Sequence, residues 1–225
     1  SGTDDAVWQG LAALGTTGLL VPEEYGGAGM TMVEAGIVAE ELGAGLHPGP
    51  WLSSAVAATR LLTRTGAESA AAEILSGIAD GTTIATVGGL ATLGKPGTLS
   101  ATLTGVPDAA AADVLLILAE CADGTGLFAM RADSPGVSVT PERGIDQTRK
   151  RFRVSLDDVA ADLLATPPPE VIAAAVDDVL IAMAADALGA ASAVMQLAID
   201  YAKVRRQFGQ VIGSFQAIQH LCVDI

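Results

Sequence analysis

The stretch "YAKVRRQFGQVIGSFQAIQHL", residues 201–221, decides how the chain is read. It closes an alanine-rich run that begins after Pro167–Pro169 and reads as one helix, Glu170–Phe208. In such a helix Tyr201, Arg205 and Phe208 fall at i, i+4 and i+7 and share a face, while Lys203 and Arg206 point elsewhere. Gly209 fits the C′ position, and Ser214 fits the N-cap of a last helix from Phe215. One face then carries a guanidinium fork, suited to phosphate oxygens, beside aromatic planes suited to a flat base. The start of the next helix adds free N–H groups for an anion. A pyrophosphate-linked nucleotide is a chemically reasonable guest. The plainer alternative is that cations in a last helical turn complement the macrodipole.

Working outward, the preceding part changes composition twice. Residues 1–80 read as helical: Ala6–Leu14, a Pro/Gly loop "LLVPEEYGGAGM", a helix from Thr31 to Leu42, then Trp51–Arg64 and Glu68–Ala79. Thr31 with Glu34 three residues on has the form of a capping box. From Thr82 to Val154, short runs such as "TIATVGG", "TLSATLTG", "DVLLILAE", "GLFAMRA", "GVSVTPE" and "RFRVSL" alternate between Gly, Pro and Asp turns. That pattern predicts an antiparallel sheet. The expected fold is therefore α+β: an N-terminal helical domain over 1–80, a small antiparallel β-domain over 81–166, and further helices over 167–225.

The 225 residues carry a net charge of −14, are 50% hydrophobic and only 4% aromatic, so the core is built from Ala, Val, Leu and Ile. A general nucleic-acid binder would be basic, which discounts that class. An acidic surface gives no long-range attraction to polyphosphates, so any phosphate site must be local. Cys121 and Cys222 lie far apart with no metal-ligand spacing, as in a reduced, cytoplasmic protein. No run fits a membrane span; the richest, Val171–Ala198, is broken by Asp177, Asp178 and Asp186. The opening "SGTDDAVW" has acids where a signal peptide is basic, and lacks a Met, as a trimmed start would.

Other candidates read as structural. Glu23 and Glu24 are adjacent loop carboxylates and form no acid/base pair across a substrate. His47 and His220 have no second ligand nearby and read as satisfied structural histidines, and Cys222 as an inert core residue. "GGAG" and "VGG" lack the context of phosphate loops. Met30, Met32, Met183 and Met195 read as packing.

"YAKVRRQFGQVIGSFQAIQHLCVDI" resembles the signature stretch of the acyl-CoA dehydrogenases. "LLVPEEYGGAGMTMVEAGIVAEELG" (19–43), "AADVLLILAE", "SPGVSVTP" and "RVSLDDV" are similar to other parts of that family, in the same order. The resemblance implies that 167–225 are the first helices of a C-terminal four-helix bundle, and it implies FAD, removal of the α and β hydrogens of an acyl-CoA thioester, and assembly as homo- or hetero-oligomers with a second acyl-CoA dehydrogenase subunit. It implies electron-transfer flavoprotein or a similar acceptor. It carries to Arg205, Gln207 and Phe208 a contact with the diphosphate and adenine side of the FAD of a neighbouring subunit, and places Phe215 and Gln216 against that same FAD.

The sequence departs from the family over "TIATVGGLATLGKPGTLSATLTG" (83–105), which lacks both the Thr-Glu-Pro…Gly-Ser-Asp stretch and the Trp-Ile-Thr-like strand beside the flavin ring. Trp8 and Trp51 both lie outside the β-region. Family members usually place the catalytic glutamate beyond the position of residue 225, and a minority near the start of the long helix. The matching position here is about Val179, with Leu180 next to it, and neither takes a proton. Asp177 and Asp178 read as solvated helix-start residues, so no catalytic residue is named. The chain resembles the flavin-pocket-depleted subunit of heteromeric steroid side-chain acyl-CoA dehydrogenases. A non-catalytic structural partner, and a flavin oxidase or monooxygenase of the same fold, are the alternatives.

Overall fold

The computed structural model describes residues 4–94 and 97–224. Lys95 and Pro96, within the departing stretch, lie outside them. Helices come first: α1 (Asp5–Ala13), α2 (Met32–Ala44), α3 (Thr59–Arg64) and α4 (Ala72–Asp80), with a π-helical segment, Leu52–Ala58, running into α3. Seven strands follow: β1 (Ala85–Leu93), β2 (Thr98–Pro107), β3 (Val114–Cys121), β4 (Gly124–Arg131), β5 (Val137–Glu142), β6 (Arg151–Ala160) and β7 (Asp162–Ala165). Then come α5 (Pro169–Val204), the two-residue strands β8 (Arg206–Gln207) and β9 (Gln210–Val211), and α6 (Gln216–Val223). The α+β architecture stands as the sequence predicts.

The local signals behave as their chemistry dictates. Thr31 and Glu34 form the capping box, with the Thr31 N–H donating to Glu34 Oε2 at 2.9 Å and Val33 N–H donating to Thr31 Oγ1 at 3.2 Å. Pro169 opens α5 at a position where its missing N–H costs nothing. Both tryptophans are buried, and each indole N–H finds a backbone carbonyl: Trp8 to Gly81 O at 2.8 Å, Trp51 to Thr16 O at 3.0 Å.

The sheet order is β5-β6-β2-β1-β3-β4-β7. Its pairings are antiparallel except one: β1 and β3 run parallel, with Ala85 opposite Val114. The expectation of an all-antiparallel sheet is corrected there. Alternation marks a strand but not the direction of its neighbour. Here Asp113 sets that neighbour, since Ile84 N–H donates to its carboxylate at 2.8 Å while Asp113 and Val114 N–H both reach Ile84 O. One face of the sheet buries Leu99, Val106, Leu115, Ile117, Phe152 and Val154 among its own strands and loops. Leu116, Leu127 and Ala129 instead pack on Leu62, Leu75 and Ile78 of α3 and α4.

α5 is seated by small residues. Ala35, Ala39 and Gly43 recur every fourth position on α2 and are buried, as are Ala175, Ala182 and Gly189 on α5. A Cβ on Gly43 would lie 1.9 Å from Asp186 O, and one on Gly189 only 1.8 Å from Glu40 O. The two backbones touch at these glycines, which sets the position of everything α5 carries.

Candidate functional site

α5 ends at Val204, four residues short of the expected Phe208. Arg205 is already extended, with ψ 123°, although its N–H still donates to Tyr201 O at 2.9 Å. Arg206 pairs with Val211 and Gln207 with Gln210 in an antiparallel hairpin. Its two central residues, Phe208 and Gly209, have φ of 51° and 83°, the left-handed pair that a two-residue type I′ turn requires. Gly209 is thus a turn glycine rather than a helix C′ residue. Ser214 closes a short 3₁₀ turn, with its hydroxyl donating to Val211 O at 2.7 Å, and Phe215 takes the N-cap position of α6.

Tyr201, Arg205 and Phe208 therefore share no helix face. The hairpin brings a different pair together: the rings of Phe208 and Phe215 meet edge to face, centroids 6.2 Å apart. Phe208 is 90% exposed even so. Arg205 is exposed and its guanidinium has no ion pair among the described residues. Gln207 is exposed and donates to Arg206 O at 2.8 Å, and Gln216 is exposed in the first turn of α6. Cys222 is half-buried on that helix rather than in a core.

At the other end of α5 lies a cleft of about 240 Å³ between the π-helical segment, the sheet and the helix. Ala57, Val87, Leu118, Val176, Val179 and Leu180 are among its walls, and no ionisable side chain lines it. Asp178, one residue before Val179, faces away. Its side chain is only 5% exposed, and it accepts from Arg60 Nε at 2.7 Å and from Arg64 Nη2 at 2.9 Å. The expectation of a solvated helix-start residue is corrected: Asp178 is the buried centre of an ion cluster tying α3 to α5. Burial pushes its carboxyl up, but the hydrogen bonds from Arg64 and Arg60 outweigh that and hold it below the ordinary aspartate value. Nothing local could have shown this, since the two arginines lie 118 and 114 residues away in sequence.

A second polar junction joins the sheet to the helices. Arg149 donates to both carboxylate oxygens of Asp186 on α5 and to His47 O at 2.6 Å. Ser53 Oγ lies 2.7 Å from Asp108 Oδ2 and 3.0 Å from Pro50 O. Burial pushes the Asp108 carboxyl up, against the hydrogen bond from Ser53. His47 is not the satisfied histidine expected: its Nε2 is buried without a partner, packed over Gly49. Burial, then the nearby Arg149 charge, hold it below the usual imidazole range, so the neutral ring is the stable form. Among the described residues no group of His, Cys, Asp and Glu could hold a metal ion, and no helix is long and apolar enough to cross a membrane.

Comparison with known proteins draws these features together. Residues 2–82 match the acyl-CoA dehydrogenase N-terminal domain and residues 170–225 the acyl-CoA dehydrogenase C-terminal domain. The chain is 31% identical over its full length to acyl-CoA dehydrogenase IpdE2 of Mycobacterium tuberculosis, of which it spans 61%. It is 36% identical over 222 residues, 97% of the chain, to acyl-CoA dehydrogenase FadE34 of the same organism, of which it spans 29%. It thus covers less than two thirds of either relative. Among solved structures, the ChsE4-ChsE5 complex from Mycobacterium tuberculosis superposes with a TM-score of 0.88 at 28% identity, covering 99% of this chain and 64% of that one. A variant of the Tcur3481-Tcur3483 steroid ACAD gives 0.86 at 32%, again covering 99% and 64%. Family matches on both helical parts, with collinear similarity through the sheet between them, place this chain in the acyl-CoA dehydrogenase family.

Proposed function

We propose that the chain is a subunit of an FAD-dependent acyl-CoA dehydrogenase that removes the α and β hydrogens of an acyl-CoA thioester. In this reading its hairpin presents Arg205, Gln207 and Phe208, with Phe215 and Gln216 behind them, to FAD held mainly by a partner subunit. The observation that carries the reading is Phe208. A bulky aromatic stands at a left-handed turn position that suits Gly or Asn, and it is 90% exposed. Such strain at an exposed side chain is retained where the side chain meets something beyond the residues around it.

The residues present fit FAD at one end only. The unpaired Arg205 fork and the free face of Phe208 match a diphosphate and a flat ring. The cleft at the start of α5 has no polar side chain to meet the nitrogens and oxygens of a flavin ring, and no base beside it. When bound, FAD supplies the hydride acceptor. What this chain contributes is the grip on the dinucleotide, while Val179 and Leu180 leave its own cleft without a proton acceptor.

Similarity to a steroid ACAD and to a two-component complex favours a heteromer acting on steroid side-chain CoA thioesters in the cytoplasm, within lipid and steroid degradation, passing electrons to electron-transfer flavoprotein or a similar acceptor. Residues 1–80, 81–166 and 167–225 are then its N-terminal, β and incipient C-terminal bundle domains. The same apolar cleft also favours a second reading, a structural partner with no flavin role. One experiment separates the two. Co-purified with its partner, the chain should give a yellow complex, and Arg205→Ala should weaken FAD by about 1.5–3 kcal/mol, the scale of a hydrogen bond to a charged group. A colourless complex, or an unchanged flavin affinity, selects the structural reading.

A further inference from the structure

An acidic chain can hold a phosphate only where it concentrates positive charge, and it does so at a second place. Five of its 12 Lys and Arg fall between Arg143 and Arg153, against a single acid, Asp146. The structure folds this segment around an open groove of about 710 Å³ at the β5–β6 end of the sheet. That volume is within the usual range for small-molecule sites, roughly 300–1,000 Å³. Arg143, Lys150 and Arg151 line it, over an apolar floor that includes Pro141 and the buried Phe152.

The charges in the groove are not equally engaged. Arg149 is committed to Asp186 and His47 O. Glu142 accepts from Gly105 N–H at 2.8 Å and pairs with Arg153 at 3.4 Å, and Asp146 accepts from the Thr148 N–H and hydroxyl. Both carboxylates are thus occupied by their own surroundings. The exposed side chains of Arg143 and Arg151 have no ion pair or side-chain hydrogen bond among the described residues. Two uncommitted guanidinium forks thus line one concave surface. A planar fork suits a phosphate oxygen pair better than any other common anion contact.

We propose that this groove binds the phosphate or diphosphate group of a small molecule. It is separate from the hairpin, because Arg149 anchors the groove to Asp186, about 28 Å along α5 from Arg205 at roughly 1.5 Å per residue. It does not depend on the flavin reading. The net charge of −14 repels polyanions at a distance, so affinity here comes from the local forks and falls as salt rises.

The test is calorimetric titration of the 225-residue chain with inorganic pyrophosphate, then with ADP and with coenzyme A, at low salt. Binding of pyrophosphate in the submillimolar range is expected, lost about tenfold or more in the Arg143→Gln/Arg151→Gln pair, each fork carrying a charge-assisted bond. Circular dichroism of that pair should match the parent, since both side chains are exposed. Arg131→Gln should leave pyrophosphate affinity within about twofold, since that exposed guanidinium pairs with Asp133 and does not line the groove. The relative affinities of ADP and coenzyme A then show which carrier the groove prefers. No heat with any of the three, affinity unchanged in the Gln pair, or an equal loss in Arg131→Gln would overturn the proposal. So would binding of an acidic peptide while pyrophosphate stays silent, which marks a protein-docking face instead.

Discussion

From its start to its middle α5 is wedged between α2, α3 and the sheet, with Asp178 gripped by two arginines and Gly189 in backbone contact with Glu40. At its far end Val194, Leu197, Tyr201 and Val204 are exposed, and the hairpin that follows carries an unpaired cation and a bare aromatic ring. The first region has satisfied its own chemistry and leaves only an apolar cleft. The second leaves its chemistry open. The cleft offers no polar side chain, while the hairpin offers a guanidinium and an aromatic ring.

The largest way to break that contrast is to loosen the first region. Asp178→Ala leaves Arg60 and Arg64 facing each other without their shared acceptor. Removing one partner of a buried pair costs 3–5 kcal/mol in general; both arginines keep partial solvent access, so about 2–4 kcal/mol is expected here, read from chemical denaturation. The same carboxylate sets an acid limit. Its folded value is held below the unfolded one, so its contribution is complete above about pH 4 and is lost as pH falls through the folded value. Asp178→Asn should be less stable at neutral pH, and its melting temperature should fall less steeply between about pH 4 and 2. Parallel acid limbs in the two proteins would mean that the cluster does not hold the fold.

Next in size is the glycine contact. Gly189→Ala puts a methyl group against Glu40 O, which is backbone and cannot rotate away, so α2 and α5 must separate, at about 1–3 kcal/mol. Gly43→Ala forces the same separation from the other side. Once the helices have parted for one methyl, the second finds room, so the double variant should cost clearly less than the two single costs added. Full additivity in denaturation would show that each glycine acts alone and that the helices do not move as a pair.

The sequence carried the local half of this structure. The capping box at Thr31 and Glu34, the Pro169 entry and six of the sheet's seven strands follow from neighbouring residues. What it hid depends on residues far apart. Asp178 looks like any acid near a helix start until Arg60 and Arg64 arrive from α3. The parallel β1–β3 pairing depends on Asp113 reaching Ile84, and four-residue β7 is too short to show the alternation that marks the others. The hairpin failed for a different reason. Phe-Gly is a poor advertisement for a type I′ turn, whose usual signals are Asn-Gly and Asp-Gly, and helix propensity ran straight through Arg205 and Arg206. The five candidate residues rest on resemblance, and their geometry could not be read from helical periodicity.

That misleading phenylalanine gives the smallest and sharpest test. Phe208→Asn keeps a residue that tolerates left-handed backbone, so the turn forms with less steric cost and only an edge-to-face contact with Phe215 is lost. The two effects oppose each other, and unfolding stability should stay within about 0.5 kcal/mol of the parent. In the complex with its partner, FAD affinity should nevertheless fall by about 0.5–1.5 kcal/mol, the scale of one aromatic contact. Affinity and stability that fall together would make Phe208 a packing residue of its own hairpin. Affinity that falls alone would show that the strained ring is there for the neighbouring subunit, which is the difference between the two ends of α5 stated at a single residue.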